Sequence, residues 1–225
     1  MNCSSWRTQQ RENCELGAAN LSRGVSCAIL DELSRRHKRL AFHVTLGTAR
    51  DLRDNELLRG HKIDLMIGRL PSADTAPDVE AEVLFNERVY VVAGSRNPWT
   101  RRRRIELADL IDEPWCLPPF ESFPGSLVAE VFRARNLEFP RAGVTAPSML
   151  VQSTLLATGR FLAMLPFAML RFSAQRLSLK IVDVNLPIQP WPVGILTLKN
   201  RTPNPAAQLF IDCARKLAKP LAKIE

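Results

Sequence analysis

Leu155-Leu-Ala-Thr-Gly-Arg-Phe-Leu-Ala-Met-Leu-Pro166 is the stretch that decides the fold of this 225-residue chain. It reads as the end of a helix, a stop at Gly159, and a buried strand that ends at proline. A helix feeding a buried strand is half of an α/β ligand-binding lobe. Further on, Val193-Gly-Ile-Leu-Thr-Leu-Lys-Asn-Arg-Thr202 supplies another strand, and Pro205-Ala-Ala-Gln-Leu-Phe-Ile-Asp212 opens a terminal helix. In that helix Ala207, Phe210, Ile211, Ala214 and Leu217 recur at helical spacing.

Working outward, residues 26–36 read as a helix with Ile29, Leu30 and Leu33 on one side. Residues 42–46 alternate apolar and polar, as a strand does. Gly47-Thr48 then opens a second helix, with Thr48 as its cap, Asp51 in its first turn and Gly60 as its stop. Residues 63–67 are a strand whose apolar run from Leu65 suits a parallel neighbourhood buried on both faces. Strand, helix, strand at this spacing is a βαβ unit. A proline- and acid-rich loop is expected at 71–82, and one long strand at 83–92. Shorter strands are expected at 115–117, 142–145 and 161–165, and residues 179–184 return the chain toward the first lobe. Helices are expected at 125–136 and from a Ser148 cap through Thr158, the latter with Val151 and Leu155 facing inward. Residues 1–23 show no apolar period and read as irregular, without a strand.

This order predicts an α/β fold of two parallel-sheet lobes joined by two crossover strands. Lobe I takes 24–93 and 185–225, and lobe II takes 94–184. The crossings fall near Tyr90–Gly94 and near 183–187.

Composition narrows the function. The net charge is +8, carried in clusters such as Arg35, Arg36, Lys38 and Arg39, Arg101–Arg104, and Arg215, Lys216 and Lys219. No aromatic residues interleave them as a single-strand-binding face requires, so they read as solvated turns and helix ends. No apolar run approaches the length of about 18 residues that a membrane span needs. The first residues lack the apolar core of a secretory signal, which points to the cytoplasm. Cys3, Cys14, Cys27, Cys116 and Cys213 are scattered and read as reduced thiols, the last three as packing residues. His37, His43 and His61 have no metal-ligand spacing, and no nucleophile elbow or phosphate loop occurs. No enzyme, cofactor or metal is expected.

The element order, together with Ile63-Asp-Leu-Met-Ile-Gly-Arg69, Leu110-Ile-Asp-Glu-Pro-Trp115, Ala157-Thr-Gly-Arg-Phe-Leu-Ala-Met-Leu-Pro166 and the terminal helix, resembles the effector-binding domain of LysR-type transcriptional regulators. The likeness runs from about Val25 to Leu221. The wording of the last two segments looks most like the branch of galactose-binding-protein regulators. The resemblance implies a type II periplasmic-binding-protein-like fold and a small-molecule effector, a sugar or a carboxylate, held between the lobes. It also implies a homodimer, with the 26–36 helix and 42–46 strand of one copy facing the 125–136 helix and 142–145 strand of the other. The family carries a helix-turn-helix ahead of this domain. Only about 25 residues precede the likeness here, so a truncated chain without its own DNA reader is expected, touching DNA only through that absent domain. A free, unexported solute-binding protein of the same fold is the alternative.

Candidate contacts follow from one rule: ligands of open α/β sheets bind beyond the carboxyl ends of the strands. Thr48 offers a hydroxyl and nearby backbone N–H groups, or is simply a helix cap. Arg69 offers a bidentate clamp for a carboxylate, or is a surface arginine beside the loop holding Asp74 and Asp78. The family's ligand contacts strengthen both positions. In lobe II, Pro119, Phe120 and Ser122 follow one strand, while Thr145 and Ser148 follow the next. Phe120 either packs on a ligand or belongs to a satellite core.

Overall fold

Residues 12–19 correct the sequence reading: they are not irregular but a strand, β1 (Glu12–Ala19), inside a sheet. The structure, a computed structural model, describes residues 12–19, 23–47, 56–70, 76–174 and 177–222. After β1 come α1 (Arg23–Arg36), β2 (Leu40–Gly47), α2 (Glu56–Arg59), β3 (Leu65–Arg69) and β4 (Val79–Glu87), the expected helix start at Thr48 lying outside the described residues. Then follow β5 (Val89–Gly94), β6 (Trp115–Leu117), α3 (Phe123–Arg133), β7 (Ala142–Thr145), α4 (Met149–Ala157), β8 (Leu162–Pro166), α5 (Phe167–Ser173) and β9 (Leu179–Ile181). The chain closes with β10 (Trp191–Leu198) and α6 (Pro205–Ala222). Two compact units result, Met1–Asn86 with Trp191–Glu225, and Glu87–Pro190.

The first unit's sheet has the order β2-β1-β3-β10-β4. β1 pairs in parallel with β2 and β3, while β10 runs antiparallel to β3. The sheet is therefore mixed, its parallel part being the βαβ core. β1 belongs at the centre for reasons the local pattern conceals. Cys14 and Leu16 are fully buried. The Glu15 N–H donates to Asp64 Oδ2 at 2.9 Å, and the Asp64 N–H donates to the Glu15 carbonyl at 2.7 Å. These reciprocal bonds pin β1 to the entry of β3. Gly17 leaves the space that β3 and its approach fill: a Cβ there would lie 2.6 Å from Ile63 Cδ1 and 3.4 Å from Met66 Cε. The neighbouring strand supplies the apolar volume, so β1 itself needs little. Phe42 of β2 packs on Phe210 of α6, ring centroids 6.3 Å apart. Ile29 of α1 and Phe210 are fully buried, each such side chain contributing about 1.5–3 kcal/mol.

The second unit's sheet has the order β7-β6-β8-β5-β9. β6 is parallel to β7 and β8, and β5 is antiparallel to β8 and β9. Trp115 is fully buried, lies edge-on to Phe132 with centroids 5.6 Å apart, and donates its indole N–H to the Leu110 carbonyl at 2.7 Å.

Several expectations shift. The long strand at 83–92 is two strands, β4 and β5, broken at Arg88 and belonging to different sheets. β4 starts at Val79, inside the expected loop. In α4, Val151 is 43% exposed, and the inward residues are Gln152, Ser153 and Leu156. Polar residues face inward there because each has a partner. Gln152 donates to the Ala146 carbonyl at 2.7 Å, and Ser153 to the Leu150 carbonyl at 3.0 Å. Cys27, expected to pack, is exposed, whereas Cys14, Cys116 and Cys213 are buried and free. Burial, with help from the Asp64 and Glu15 carboxylates, pushes the Cys14 thiol up to about 12, which keeps it unreactive. Among the described residues no helix is long and apolar enough to cross a membrane.

Candidate functional site

In the first unit Arg69 is the last residue of β3, half-buried and paired in register with Val193 of β10. Its guanidinium lies over the Trp191 ring, 5.4 Å from the centroid. Cation–π stacking of this kind holds the guanidinium plane in place at little entropic cost. Trp191 begins β10 and is 3% exposed, yet its indole N–H has no acceptor. A buried donor without an acceptor costs about 1–3 kcal/mol, so its presence calls for a physical account. The carboxyl end of β3 thus holds a stacked cation beside an unsatisfied donor. Trp191 was missed in the sequence reading because a tryptophan opening a strand reads as core. Thr48, together with Asp51 and Asp74, lies outside the described residues.

In the second unit the parallel register sets Leu117 of β6 against Thr145 of β7. The two strands therefore end side by side, and the 118–122 and 146–148 connections leave from one edge of the sheet. Pro119, Phe120, Ser122, Thr145 and Ser148 are brought to that edge as expected from the topology. Ser122 caps α3. Its hydroxyl donates to the Pro119 carbonyl and accepts from the Gly125 N–H at 3.2 Å. Gly125 is required here because a Cβ would sit 2.0 Å from the Pro119 carbonyl oxygen. The result is a tight loop that holds Phe120 out at 51% exposure, its ring edge-on to Phe139 at 5.3 Å. Ser148 caps α4 through a longer bond of 3.5 Å from the Val151 N–H, and Thr145 is exposed. Both serine hydroxyls serve their helices, and the exposed residues of this edge are Phe120, Glu121, Thr145 and Pro147.

A second buried polar group escaped the sequence reading. Glu87, 1% exposed, directs Oε1 to the backbone N–H groups of Arg88 at 3.0 Å and Ala168 at 3.2 Å, while Oε2 has no partner. Burial pushes its carboxyl up to about 7, against the lowering effect of those N–H groups and that of Phe167. Set between Asn86 and Arg88, this glutamate gives no sequence signal of burial. Among the described residues no cluster of His, Cys, Asp and Glu could hold a metal ion.

Comparison with known proteins settles what this arrangement belongs to. The model of the LysR substrate binding domain matches residues 8–219. This chain belongs to that family. The match includes β1, which lies before the likeness seen in the sequence. The chain is similar to the HTH-type transcriptional regulator GbpR of Azospirillum brasilense, 27% identical over 188 residues, covering 83% of this chain and 54% of the relative. It spans about half the length of the curated relatives it matches. Two solved structures share the fold. The effector binding domain of QuiR in complex with shikimate is 20% identical with a TM-score of 0.63, covering 93% of this chain and 98% of that one. The BenM effector binding domain with benzoate is 20% identical with a TM-score of 0.65, covering 92% and 91%. The two five-stranded sheets are thus the type II periplasmic-binding-protein-like fold of LysR effector-binding domains.

Proposed function

We propose that this LysR substrate-binding domain senses a small carboxylate for a transcription regulator, with Arg69 as the anchor for the ligand's charge. One observation carries the reading: Arg69 is stacked on Trp191 at the carboxyl end of β3, and the Trp191 indole N–H lacks an acceptor. A carboxylate offers one oxygen pair to a guanidinium fork and a free lone pair to an indole donor. Shikimate and benzoate, carried by QuiR and BenM, are both carboxylates, which supports the choice over an uncharged sugar. In the second unit, taken by itself, Phe120 and Thr145 at the strand ends are a separate candidate contact for a small ligand. Thr48 stays in the proposal as a hydroxyl of the first unit. Pro119, Ser122 and Ser148 shape the loops rather than touch the ligand. The ligand acts by its differential affinity for two states of the protein, and no bond is made or broken.

Titration calorimetry with benzoate and shikimate tests this. Arg69→Ala is expected to weaken the carboxylate that binds by about 1.5–3 kcal/mol, the range for a charged hydrogen bond. Equal affinity of wild type and variant removes Arg69 from the site.

The reading extends to a cytoplasmic homodimer. β2 and β7 are edge strands of their sheets, and Val44 on β2 is 45% exposed. An uncovered edge invites pairing, and a twofold contact would use it twice. Leu33 is buried in its own unit, so Val44→Asp is the better probe of association. A wild-type chain that sediments as a monomer at micromolar concentration ends this extension.

A further inference from the structure

We infer that the arginine-rich end of the second unit is a docking surface for the phosphate backbone of DNA. The surface comprises Arg96, Arg101, Arg102, Arg103, Arg104 and Arg160, all exposed. Among the described residues, ion pairs belong to the first unit. Arg35 pairs with Asp31, Arg36 with Glu32, Arg59 with Asp78, Arg201 with Asp64 and Arg215 with Glu82. Among the described residues, these six arginines of the second unit pair with no carboxylate.

The chain holds them together instead. Asn97 is buried and caps the turn Pro98–Arg101, accepting from the Trp99 N–H at 3.0 Å, while Thr100 donates to the Asn97 carbonyl at 2.8 Å. Arg102 stacks on Trp99, 4.3 Å from the ring centroid, and Arg160 stacks on Phe161 at 5.5 Å. A Cβ built on Gly159 would lie 3.3 Å from the Cβ of Arg96, so the two arginine-bearing segments touch. Beyond Arg104, Ile105 donates to the Asp183 carbonyl at 3.2 Å and fixes the end of the run. The nearby carboxylates are engaged by backbone. Asp109 accepts from the Glu106 N–H at 3.0 Å, and Asp183 from the Arg104 N–H at 3.5 Å.

Like charges at 4 Å repel by about 1 kcal/mol even in bulk water. A run anchored at both ends, unneutralised and partly stacked, is poised for an external polyanion. Guanidinium groups match phosphate oxygens in bidentate geometry. No groove-reading element accompanies the patch, so the contact is with backbone and independent of base sequence. Choosing DNA among polyanions rests on the regulator reading above, whereas the patch itself is independent of the effector site.

The test uses the whole chain and a duplex of arbitrary sequence, followed by fluorescence anisotropy across a salt series. Six phosphate contacts, one for each arginine, predict an affinity loss of about a thousandfold between 50 and 200 mM salt, with a log–log slope near −0.9 per phosphate. The variant R101Q/R102Q/R103Q/R104N should flatten that slope by about 3–4; asparagine suits position 104 because its φ is 53°. The charge-matched control R35Q/R36Q/K38Q/R39Q should leave the slope within about 1 of wild type. Should the quadruple variant fail to fold by circular dichroism, R96Q/R160Q, on two other segments, should flatten the slope by about 2. Equal flattening by patch and control variants, absence of binding by wild type at 50 mM salt, or equal binding to polyglutamate would each overturn the proposal. Carboxylate calorimetry reads the effector site separately, so failure of one does not decide the other.

Discussion

The two sheets repeat one plan with opposite sequence signals. In β2-β1-β3-β10 and in β7-β6-β8-β5, a central parallel strand lies between an edge strand and a third parallel strand, next to an antiparallel one. The central strand β6 is Trp-Cys-Leu, wholly buried and plain in the sequence. Its counterpart β1 is Glu-Asn-Cys-Glu-Leu-Gly-Ala-Ala, and nothing in its composition announces a core strand. The difference lies in who fills the space. Trp115 brings its own volume and rests on Phe132, whereas Gly17 yields room to Ile63 and Met66. A central strand need only present backbone to both neighbours and avoid obstructing them.

The largest effects should come from removing the volume each strand does contribute. Trp115→Ala leaves a large cavity and an orphaned Leu110 carbonyl, and should cost about 3–5 kcal/mol. Leu16→Ala should cost about 2–5 kcal/mol, which would be surprising for a residue in an irregular tail. Urea midpoints measure both. Hydrogen exchange locates them: Leu16→Ala should expose amides of β2 and β3 first, and Trp115→Ala those of β7 and β8. A Leu16→Ala loss below about 0.5 kcal/mol, the level of an ordinary surface substitution, would break the equivalence of the two strands.

The same contrast explains what was legible. Elements with their own apolar volume, such as 162–166, 191–198 and the terminal helix, were readable to within a few residues. Elements that borrow volume or polarity from neighbours were not. β1 takes both from Ile63, Met66 and Asp64. The inner face of α4 is polar because the Ala146 carbonyl waits for Gln152. The break at Arg88 coincides with the polar run Asn86-Glu87-Arg88, which the reading of 83–92 as one strand passed over. For the site, strand ends were predictable from order alone, which placed Arg69, Phe120 and Thr145. The Trp191 stack depends on a pairing of β3 with β10 across distant sequence, and no local pattern encodes it.

Each sheet's antiparallel strand is also entered past a buried polar atom without a partner: Glu87 Oε2 before β5, and Trp191 Nε1 at the start of β10. Only the first titrates. Glu87 is held near 7 when folded, against an ordinary value of 4.5. The folded state therefore binds the proton more tightly. Its contribution to stability is complete below about pH 4.5 and is lost as pH rises through 7, amounting to about 3 kcal/mol. Glu87→Gln, which cannot titrate, should remove this fall between pH 5 and 8 in thermal or urea unfolding. A wild-type profile that runs parallel to that of Glu87→Gln would show that the carboxyl is not held near 7.

The smallest expected effect separates the two caps at the edge of the second sheet. Ser122 and Ser148 occupy equivalent places, each after a parallel strand and before a helix, and the sequence treats them alike. Their bonds differ. Ser122 both accepts from Gly125 at 3.2 Å and donates to Pro119, closing a loop in which Gly125 already sits against the Pro119 carbonyl. Ser148 accepts one bond of 3.5 Å. Hydrogen bonds weaken with length, and a capping serine replaced by alanine costs about 0.5–2 kcal/mol. Ser122→Ala should fall at the upper end, about 1.5–2 kcal/mol, and Ser148→Ala near 0.5 kcal/mol. The two caps also differ in what they hold. Loss of the Ser122 bonds frees the segment that presents Phe120, so amide exchange in the 119–122 loop should quicken along with the loss of stability. Ser148→Ala should leave exchange in that loop unchanged. Equal losses of stability for the two variants would mean that the Pro119–Ser122 closure adds nothing to an ordinary cap.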